Sequence, residues 1–192
     1  MAQEVIWHDG SVVMASGAVV TGNISLTPGQ NLILFKPRNG QHKNDRMKAD
    51  EEAIRDGSDV IPAHRLKAVF LYDESANINR RYVTLGDKKV FPGVQLYEVV
   101  LQGRIDVLRL PKNFYFASDA KDFDYYCSNG GKLLPLHKFH REIYAHLDQA
   151  SRQTLMAYVK ANSLQHGDDA NVINIIDYYN KWVRGEETLA RY

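Results

Sequence analysis

The chain has 192 residues, and its 24 lysines and arginines nearly balance its 23 aspartates and glutamates, giving a formal net charge of +1. This balance lacks the strongly basic character of a general DNA- or RNA-binding protein. Cys127 is the only cysteine, which excludes an intramolecular disulfide and a cysteine-based metal cluster, and no apolar run reaches the roughly 18 residues that cross a bilayer.

The N-terminus carries neither the basic segment nor the apolar segment of a signal peptide, because Glu4 leads directly into Val5, Ile6 and Trp7. Two interpretations follow from this observation. Either the chain is cytosolic and complete, or it is a mature exported protein whose signal peptide was removed and replaced by a start methionine.

Short strands separated by turns are predicted at the start of the chain. Apolar or alternating runs lie at 11–15, 18–26 and 31–35, and Gly- or Pro-containing sequences separate them. Gly17 and Gly22 are expected where strong bending leaves no room for a side chain. This pattern is typical of a bent sheet or a small β-barrel.

A polar stretch interrupts this pattern from Pro37 to Asp59, and it is too long for an ordinary hairpin loop. A solvated loop is predicted here, and a short helix from Asp45 to Arg55 is the alternative. Strand character resumes at 60–72 and again at 80–85.

The centre of the predicted sheet is Gln95–Leu110, the longest strand-type run in the chain. Its apolar residues provide enough area for a position in the core: Leu96, Val99, Val100, Leu101, Ile105, Val107, Leu108 and Leu110. Gly103 marks either a bend in one long strand or the turn of a hairpin. We expect the other strands to pair around this segment.

A further hairpin precedes a change to helix. Residues 122–127 and 132–136 flank Asn129-Gly130-Gly131, which is a strong hairpin signal. Beyond Pro135 the apolar period becomes 3.6 residues, which predicts three helices over 137–185.

The helix ends are predicted from their capping residues. Ser151 is the expected N-cap of the second helix, and Gly167-Asp168-Asp169 breaks the chain and caps the third. Gly185 is expected to end the third helix. The apolar face of that helix carries Val172, Ile175, Ile176, Tyr179 and either Trp182 or Val183.

Several segments together resemble a broad family of exported bacterial proteins of unknown function. The matching segments are Val69–Asp73 with Arg80-Arg81-Tyr82, then Tyr97–Leu108, then Tyr125-Tyr126 with the Gly130-Gly131 hairpin, and finally Tyr178-Tyr179-Asn180. The polar stretch from Pro37 to Asp59 departs from the compact form of that family. The resemblance implies an N-terminal β region, a helical tail and export to the periplasm or beyond, and it implies no reaction.

A cluster of cations is the first candidate site. Four of them lie on or beside one predicted strand pair: Arg80, Arg81, Lys88 and Lys89. With nearby tyrosines they could bind an anionic or sugar-like ligand by stacking and bidentate contacts, although alternating charges on a solvated sheet face give the same pattern. The predicted ligand-binding residues are Arg80, Arg81, Tyr82 and Tyr97.

Carboxylates and histidines form the second candidate site. Asp122 and Asp124 would share one face of a strand, as acid–base pairs do and as solvated strand residues also do. His137 and His140 would share one face of a helix, but His146 would lie roughly opposite, so no metal site is predicted. Cys127 is expected to be a buried, inert thiol.

These patterns predict an α+β fold, with a mostly antiparallel bent sheet or small β-barrel followed by three C-terminal helices packed on it. The predicted domains are a β-rich part over 4–136, with a polar insertion at 37–59, and a helical tail over 137–185 docked on the sheet. No phosphate-binding loop, dinucleotide-binding glycine motif, nucleophile elbow or zinc-protease motif is present in the sequence.

The sequence identifies no ligand and no reaction. We expect a non-catalytic exported protein of the cell envelope, periplasmic or secreted, that binds an unknown protein or small-molecule ligand through the sheet or the sheet–helix groove. No cofactor, nucleic acid or membrane span is expected. One alternative is an enzyme with an unrecognised site near Asp122, Asp124, His137 and His140, and another is a cytosolic small-barrel module that binds nucleic acid or protein.

Overall fold

The computed structural model describes residues 5–26, 31–38, 59–86, 93–112, 119–130 and 132–189. The possible helix at 45–55, most of the polar insertion, Lys88 and Lys89 lie outside the described residues. Among the residues described, no helix combines the length and the apolar character that crossing a bilayer requires.

Ten strands are present in the described part of the chain. Their bounds are β1 His8–Met14, β2 Val19–Ser25, β3 Leu32–Pro37, β4 Asp59–Pro62, β5 Leu66–Asp73, β6 Ile78–Gly86, β7 Val94–Leu101, β8 Asp106–Pro111, β9 Phe123–Asn129 and β10 Lys132–Pro135. They form an antiparallel sheet in the order β10-β9-β8-β7-β6-β5-β1-β2-β3-β4. The order is open, so a bent sheet, and not a closed barrel, is the arrangement of these strands.

Three α-helices follow the strands: α1 Phe139–Glu142, α2 Gln149–Ala161 and α3 Asp169–Leu189. The prediction of an α+β fold with three C-terminal helices is therefore confirmed. Single 3₁₀ turns lie between β4 and β5, before β9, before α1 and after α1.

Two helix ends differ from the prediction. The N-cap of α2 is Asp148, whose Oδ1 accepts a hydrogen bond of 2.9 Å from the Ser151 backbone N–H. The Ser151 hydroxyl donates in turn to Asp148 Oδ2, so Ser151 lies inside the first turn. The prediction that Gly185 ends the last helix was also wrong, because α3 continues to Leu189.

The sequence-predicted central segment forms two neighbouring strands. β7 and β8 are adjacent in the sheet and are joined through Gly103, so the hairpin is the correct alternative. Asp106 Oδ1 accepts a hydrogen bond of 3.0 Å from the Gly103 N–H. A Cβ atom at Gly103 would lie 2.3 Å from Asn180 Cγ, which explains why this position has no side chain.

Close strand contact also explains Gly22 in the N-terminal strands. A Cβ at Gly22 would lie 2.2 Å from the Lys36 carbonyl oxygen, as the bending argument predicted. Gly17 has a different cause: its φ of +95° favours glycine, while the nearest atom to a Cβ there would be 3.8 Å away.

The chain divides into two compact units, each with its own core. The first unit comprises Met1–Glu98 and Leu110–Asp122, and the second comprises Val99–Arg109 and Phe123–Tyr192. The predicted domain boundary between residues 136 and 137 was placed where strands give way to helices. The two units are instead defined by contacts within the folded chain. The predicted boundary therefore stays a prediction.

The core of the first unit is made by strand residues such as Val12, Ile24, Phe35 and Val69, which are completely buried. In the second unit, Val107 and Cys127 of the strands pack with Phe139, Leu155 and Ile175 of the three helices, and all five are buried. The helices of this unit therefore cover its strands, and burial of apolar surface is the main stabilising contribution in each core.

Candidate functional site

The register of β5, β6 and β7 divides the four predicted ligand-binding residues between two faces of the sheet. Paired residues share a face, and successive residues of a strand alternate. Tyr82 pairs with Glu98, so Arg80 and Tyr82 lie on the face of Glu98. Val83 pairs with Tyr97, so Arg81 and Tyr97 lie on the opposite face. The four side chains do not converge on one surface, and whether any of them binds a ligand stays a prediction.

Arg80 joins two internal carboxylates. Its Nε lies 2.8 Å from Asp73 Oδ2, its Nη1 lies 2.6 Å from Glu98 Oε1, and the side chain is only 21% exposed. Burial alone lowers the pKa of this guanidinium, but the hydrogen bonds to Asp73 and Glu98 outweigh that effect and leave the pKa raised. Arg80 on β6 therefore links the side chains of β5 and β7 and stabilises the packing of these three strands.

Asp73 also fixes the turn between β5 and β6. Its Oδ1 accepts hydrogen bonds from the Ser75 hydroxyl at 2.7 Å, the Ser75 N–H at 3.1 Å and the Ala76 N–H at 3.3 Å. The Ser75 hydroxyl, together with Arg80, lowers the pKa of Asp73 to about 2, although burial opposes the shift. The carboxylate is thus ionised at neutral pH and acts as a local structural anchor.

Of the two predicted tyrosines, one is buried and the other is partly buried. Tyr97 is only 7% exposed, and its hydroxyl donates to Gln95 Oε1 over 3.4 Å. Tyr82 is partly buried and packs against the core of the first unit. Two other aromatic residues of this sheet are more exposed.

Phe70 and Tyr72 are those residues, on the same face as Arg81. Phe70 pairs with Arg81 on β6 and with Ser11 on β1, and Tyr72 pairs with Asn79. The two residues are 38% and 37% exposed, respectively. We call the surface formed by Ser11, Thr21, Phe70, Tyr72, Asn79 and Arg81 the outer-face patch.

Local contacts hold the outer-face patch in place. The Arg81 guanidinium lies over the Phe70 ring, with its carbon 5.5 Å from the ring centroid. The Tyr72 hydroxyl donates to Asn77 Oδ1 in the turn that follows β5. The sequence indicated Arg81 but missed Phe70, because apolar residues occupy both faces of β5 and the alternation that marks an exposed position is hidden.

A second cation–aromatic contact extends this face toward β3. Lys36 Nζ lies 4.2 Å from the ring centroid of Trp7, and Lys36 pairs with Asn23. Asp9 pairs with Asn23 and accepts hydrogen bonds from Asn23 Nδ2 at 3.1 Å and Arg38 Nη2 at 2.8 Å. The cationic charge of Arg38 is therefore compensated on this face.

The predicted carboxylate pair is not formed on a strand. Asp122 ends the 3₁₀ turn Ala120–Asp122, and its Oδ2 accepts a hydrogen bond of 2.9 Å from the Asp119 N–H. Asp124 lies on β9 with an exposed side chain. The prediction that both share one strand face was wrong, because the chain enters β9 only at Phe123 and Asp122 serves the preceding turn.

The three histidines considered in the sequence analysis lie in three separate short helical elements. His137 lies in the 3₁₀ turn before α1, His140 lies in α1, and His146 lies in the 3₁₀ turn after it, so no single helix places them on a common face. Within the described part of the chain, no three His, Cys, Asp or Glu side chains converge as ligands of a metal ion would.

His140 instead has a different histidine as its neighbour. Its ring centroid lies 4.3 Å from that of His166, and it stacks on Tyr144 at 4.6 Å. Burial, and then the charge of His140, lower the pKa of His166. His166 precedes α3 and is distant from His140 in sequence, so no local spacing could have indicated this pair.

Cys127 is completely buried, and burial raises the pKa of its thiol to about 11. A thiol with this pKa is protonated at neutral pH and is a poor nucleophile. The prediction of a buried, unreactive cysteine agrees with this environment.

Comparisons with family models, with curated proteins and with solved structures each found no match for this chain.

Proposed function

We propose that the protein is a non-catalytic binding module that contacts a partner protein through the outer-face patch. The observation that carries this proposal is the partial exposure of Phe70 and Tyr72, 38% and 37%, on the same sheet face as Arg81. Strand β5 buries Val69 and Leu71 on its other face, so the fold does not need these two rings for the core of the first unit.

The residue types of the outer-face patch support a protein partner. Aromatic residues and arginine are enriched at protein interfaces, where a few of them provide most of the binding free energy. The small polar residues Ser11 and Asn79 pair with Phe70 and Tyr72, and Thr21 pairs with Ser11 on the next strand. A central aromatic group with a polar rim is the usual arrangement of such an interface.

Preorganisation also favours binding at this surface. The Arg81 guanidinium is already stacked on Phe70, and Tyr72 is already hydrogen-bonded to Asn77. Side chains that are ordered before binding lose less conformational entropy when the complex forms. The outer-face patch is thus suited to act as a rigid contact surface.

The charge balance favours protein over nucleic acid. A nucleic-acid site neutralises several phosphates with uncompensated cations, and its affinity depends on them. The formal net charge of this chain is only +1, and on this face Asp9 compensates Arg38. Protein recognition needs no such excess of positive charge.

Site-specific photo-crosslinking in the organism that encodes the protein tests the proposal. A photoreactive phenylalanine analogue replaces Phe70 in one variant and, as a control, Met156 of α2, which is 62% exposed in the second unit. We expect one dominant light-dependent protein adduct from position 70 and none from position 156. No adduct at position 70, or the same adduct from both positions, would overturn the proposal.

Affinity measurements with the crosslinked partner, once purified, make the test quantitative. Phe70→Ser and Tyr72→Ser should each weaken binding by roughly 10- to 100-fold, as hot-spot substitutions do. Met156→Ser should leave the affinity within about twofold. Arg80→Ala is unsuitable here because it breaks the ion pairs with Asp73 and Glu98 and would lower stability as well.

Export to the periplasm or beyond is the second part of the proposal, and its support is the sequence resemblance that includes Arg80-Arg81-Tyr82 and Tyr178-Tyr179-Asn180. Fractionation of cells that express the native gene, with mass spectrometry of the N-terminus of the mature chain, tests it. We expect the protein in the periplasmic or secreted fraction. Recovery from the cytosol alone would contradict export and would leave the binding proposal unaffected.

A further inference from the structure

The second unit contains an imidazole pair that the outer-face patch does not involve. His140 belongs to α1, and His166 belongs to the connection between α2 and α3. Their ring centroids are 4.3 Å apart, and the ring planes are inclined by 42°. Both residues are exposed to solvent, so an ion could reach them from bulk water.

The core of the second unit positions one member of this pair. The His140 ring stacks on Tyr144 with an interplanar angle of 19°, and Tyr144 is only 9% exposed. Tyr144 in turn contacts the completely buried Phe139 edge-on at 6.4 Å. His140 is therefore held by groups that are themselves fixed in the core.

The imidazole nitrogens have no competing partner within the part of the chain that the structure describes. Neither the His140 nor the His166 side chain makes a hydrogen bond or an ion pair there. Ring nitrogens without such partners can bind an ion without first breaking a protein contact.

The spacing of the two rings is close to that of a chelate. With metal–nitrogen bonds of about 2.0–2.1 Å, two imidazoles on one ion at a tetrahedral or square-planar angle have centroids roughly 4.5–5.2 Å apart. The observed separation of 4.3 Å differs from this range by a few tenths of an ångström. Closing that difference requires a rotation of the His166 ring, which is exposed to solvent.

We propose that His140 and His166 chelate a borderline divalent transition-metal ion, Zn²⁺, Ni²⁺ or Cu²⁺, and so link α1 to the connection before α3. Imidazole nitrogen is a preferred ligand of these ions, and water completes the coordination. No three His, Cys, Asp or Glu side chains converge here among the described residues, so the site has two protein ligands and moderate affinity. Hard ions such as Mg²⁺ and Ca²⁺ require oxygen ligands and do not bind.

The test is isothermal titration of the tag-free, full-length chain with each metal chloride, together with thermal unfolding in the same solutions. We expect about one equivalent of ion bound, the highest affinity for Cu²⁺, and a raised unfolding temperature because the ion binds only the folded pair. With Cu²⁺, electron paramagnetic resonance should show coupling to two nitrogen nuclei. MgCl₂ should give no heat of binding and no change in unfolding temperature.

Histidine variants locate the ion. Since loss of an outer-shell group already weakens metal sites by roughly 10- to 100-fold, removal of a direct ligand in His140→Ala or His166→Ala should weaken binding at least as much. His146→Ala removes an exposed histidine in the next turn and should leave the affinity unchanged. Absence of binding by the parent chain, or binding that persists in the His140→Ala/His166→Ala double variant, would overturn the proposal.

Discussion

The side-chain amide of Asn180 makes the two hydrogen bonds with the backbone of Ile105 that a neighbouring strand would otherwise make. Its Nδ2 donates to the Ile105 carbonyl oxygen at 2.8 Å, and its Oδ1 accepts from the Ile105 N–H at 3.0 Å. Asn180 is only 5% exposed and Ile105 is 1% exposed, so water cannot replace either bond. The amide therefore satisfies two buried backbone groups in the connection between β7 and β8.

Replacement of Asn180 by alanine should be strongly destabilising. Asn180→Ala leaves a buried N–H and a buried C=O without partners, and we expect the free energy of unfolding to fall by about 2–4 kcal/mol. Urea unfolding followed by circular dichroism measures the change. Asn174→Ala on the exposed side of the same helix is the control and should alter stability by less than about 0.5 kcal/mol. Equal effects of the two variants would contradict the role given to Asn180.

Gly103 and Asn180 should be energetically coupled. A Cβ at position 103 would lie 2.3 Å from Asn180 Cγ, so Gly103→Ala should lower stability by roughly 1–3 kcal/mol through displacement of the amide. In the Asn180→Ala background that steric conflict is absent, and Gly103→Ala should then cost much less. The double-mutant cycle from urea unfolding gives the coupling, and additive effects would refute the contact.

The carboxyl of Asp73 should give stability a defined dependence on acid pH. Its pKa is about 2 in the folded chain and near 3.8 without the partners Ser75 and Arg80. The unfolded chain therefore binds more protons between these values, so the stabilisation is complete above pH 3.8 and is lost as pH falls through 2. Urea unfolding of the parent chain from pH 5 to pH 2 should show this loss.

Asp73→Asn is the variant that isolates this carboxyl. It should be less stable than the parent at neutral pH, and its stability should change less between pH 4 and pH 2 because no proton is taken up at position 73. If the free energy of unfolding fell equally with pH in the parent chain and in Asp73→Asn, the acid effect would come from other carboxylates.

Arg80 and Arg81 show how much of the candidate site can be predicted from the sequence. Adjacent arginines on a strand were enough to predict that Arg80 and Arg81 belong to β6. The sequence could not assign their roles, because Arg80 is engaged by Glu98 from β7 and by Asp73 from β5. These partners come from neighbouring strands, and their register is fixed only when the sheet forms.

At the scale of elements, helix ends were harder to predict than the helices themselves. The buried stripe of Val172, Ile175, Ile176 and Tyr179 confirmed the predicted core face of α3. Gly185 did not end the helix, since glycine permits a left-handed C-terminal residue but does not require one. At the start of α2, Asp148 and Ser151 both have side chains that can cap a helix. Ser151 donates both hydrogen bonds and Asp148 accepts both, and only this direction shows that Asp148 is the N-cap.

The course of α3 through Gly185 leads to a prediction of increased stability. Position 185 is exposed, and a Cβ there would meet no atom within 4 Å. Gly185→Ala should therefore stabilise the chain by about 0.5–1 kcal/mol through helix propensity. The comparison variant Gly17→Ala should lower stability by about 1 kcal/mol, because its φ of +95° is unfavourable for alanine. Thermal unfolding distinguishes the two signs, and destabilisation by Gly185→Ala would indicate that the helix ends there.

At the scale of the whole molecule, the sequence indicated the fold class but not how its apolar residues divide between two cores. The run Gln95–Leu110 was correctly predicted as strand-forming and apolar. Its first part gives Leu96 of β7 to the core of the first unit, whereas Ile105 and Val107 belong to the core of the second. Apolar content alone does not show which core a residue joins, because that depends on the face and the neighbours that the folded strands provide.

The two tryptophans allow the separate cores to be tested, because Trp7 lies in the first unit and Trp182 in the second. Phe35 and Phe139 are completely buried in the first and the second core, so replacement of either by alanine should cost its unit about 3–5 kcal/mol. In a Trp182→Phe background, Phe35→Ala should lower the urea midpoint reported by Trp7. In a Trp7→Phe background, the midpoint reported by Trp182 should respond mainly to Phe139→Ala. Each cluster contains residues of its own unit alone. We therefore expect Phe35→Ala to change the urea midpoint reported by Trp182 only slightly, and Phe139→Ala to change the midpoint reported by Trp7 only slightly. If either substitution changed both midpoints equally, the two cores would unfold as one.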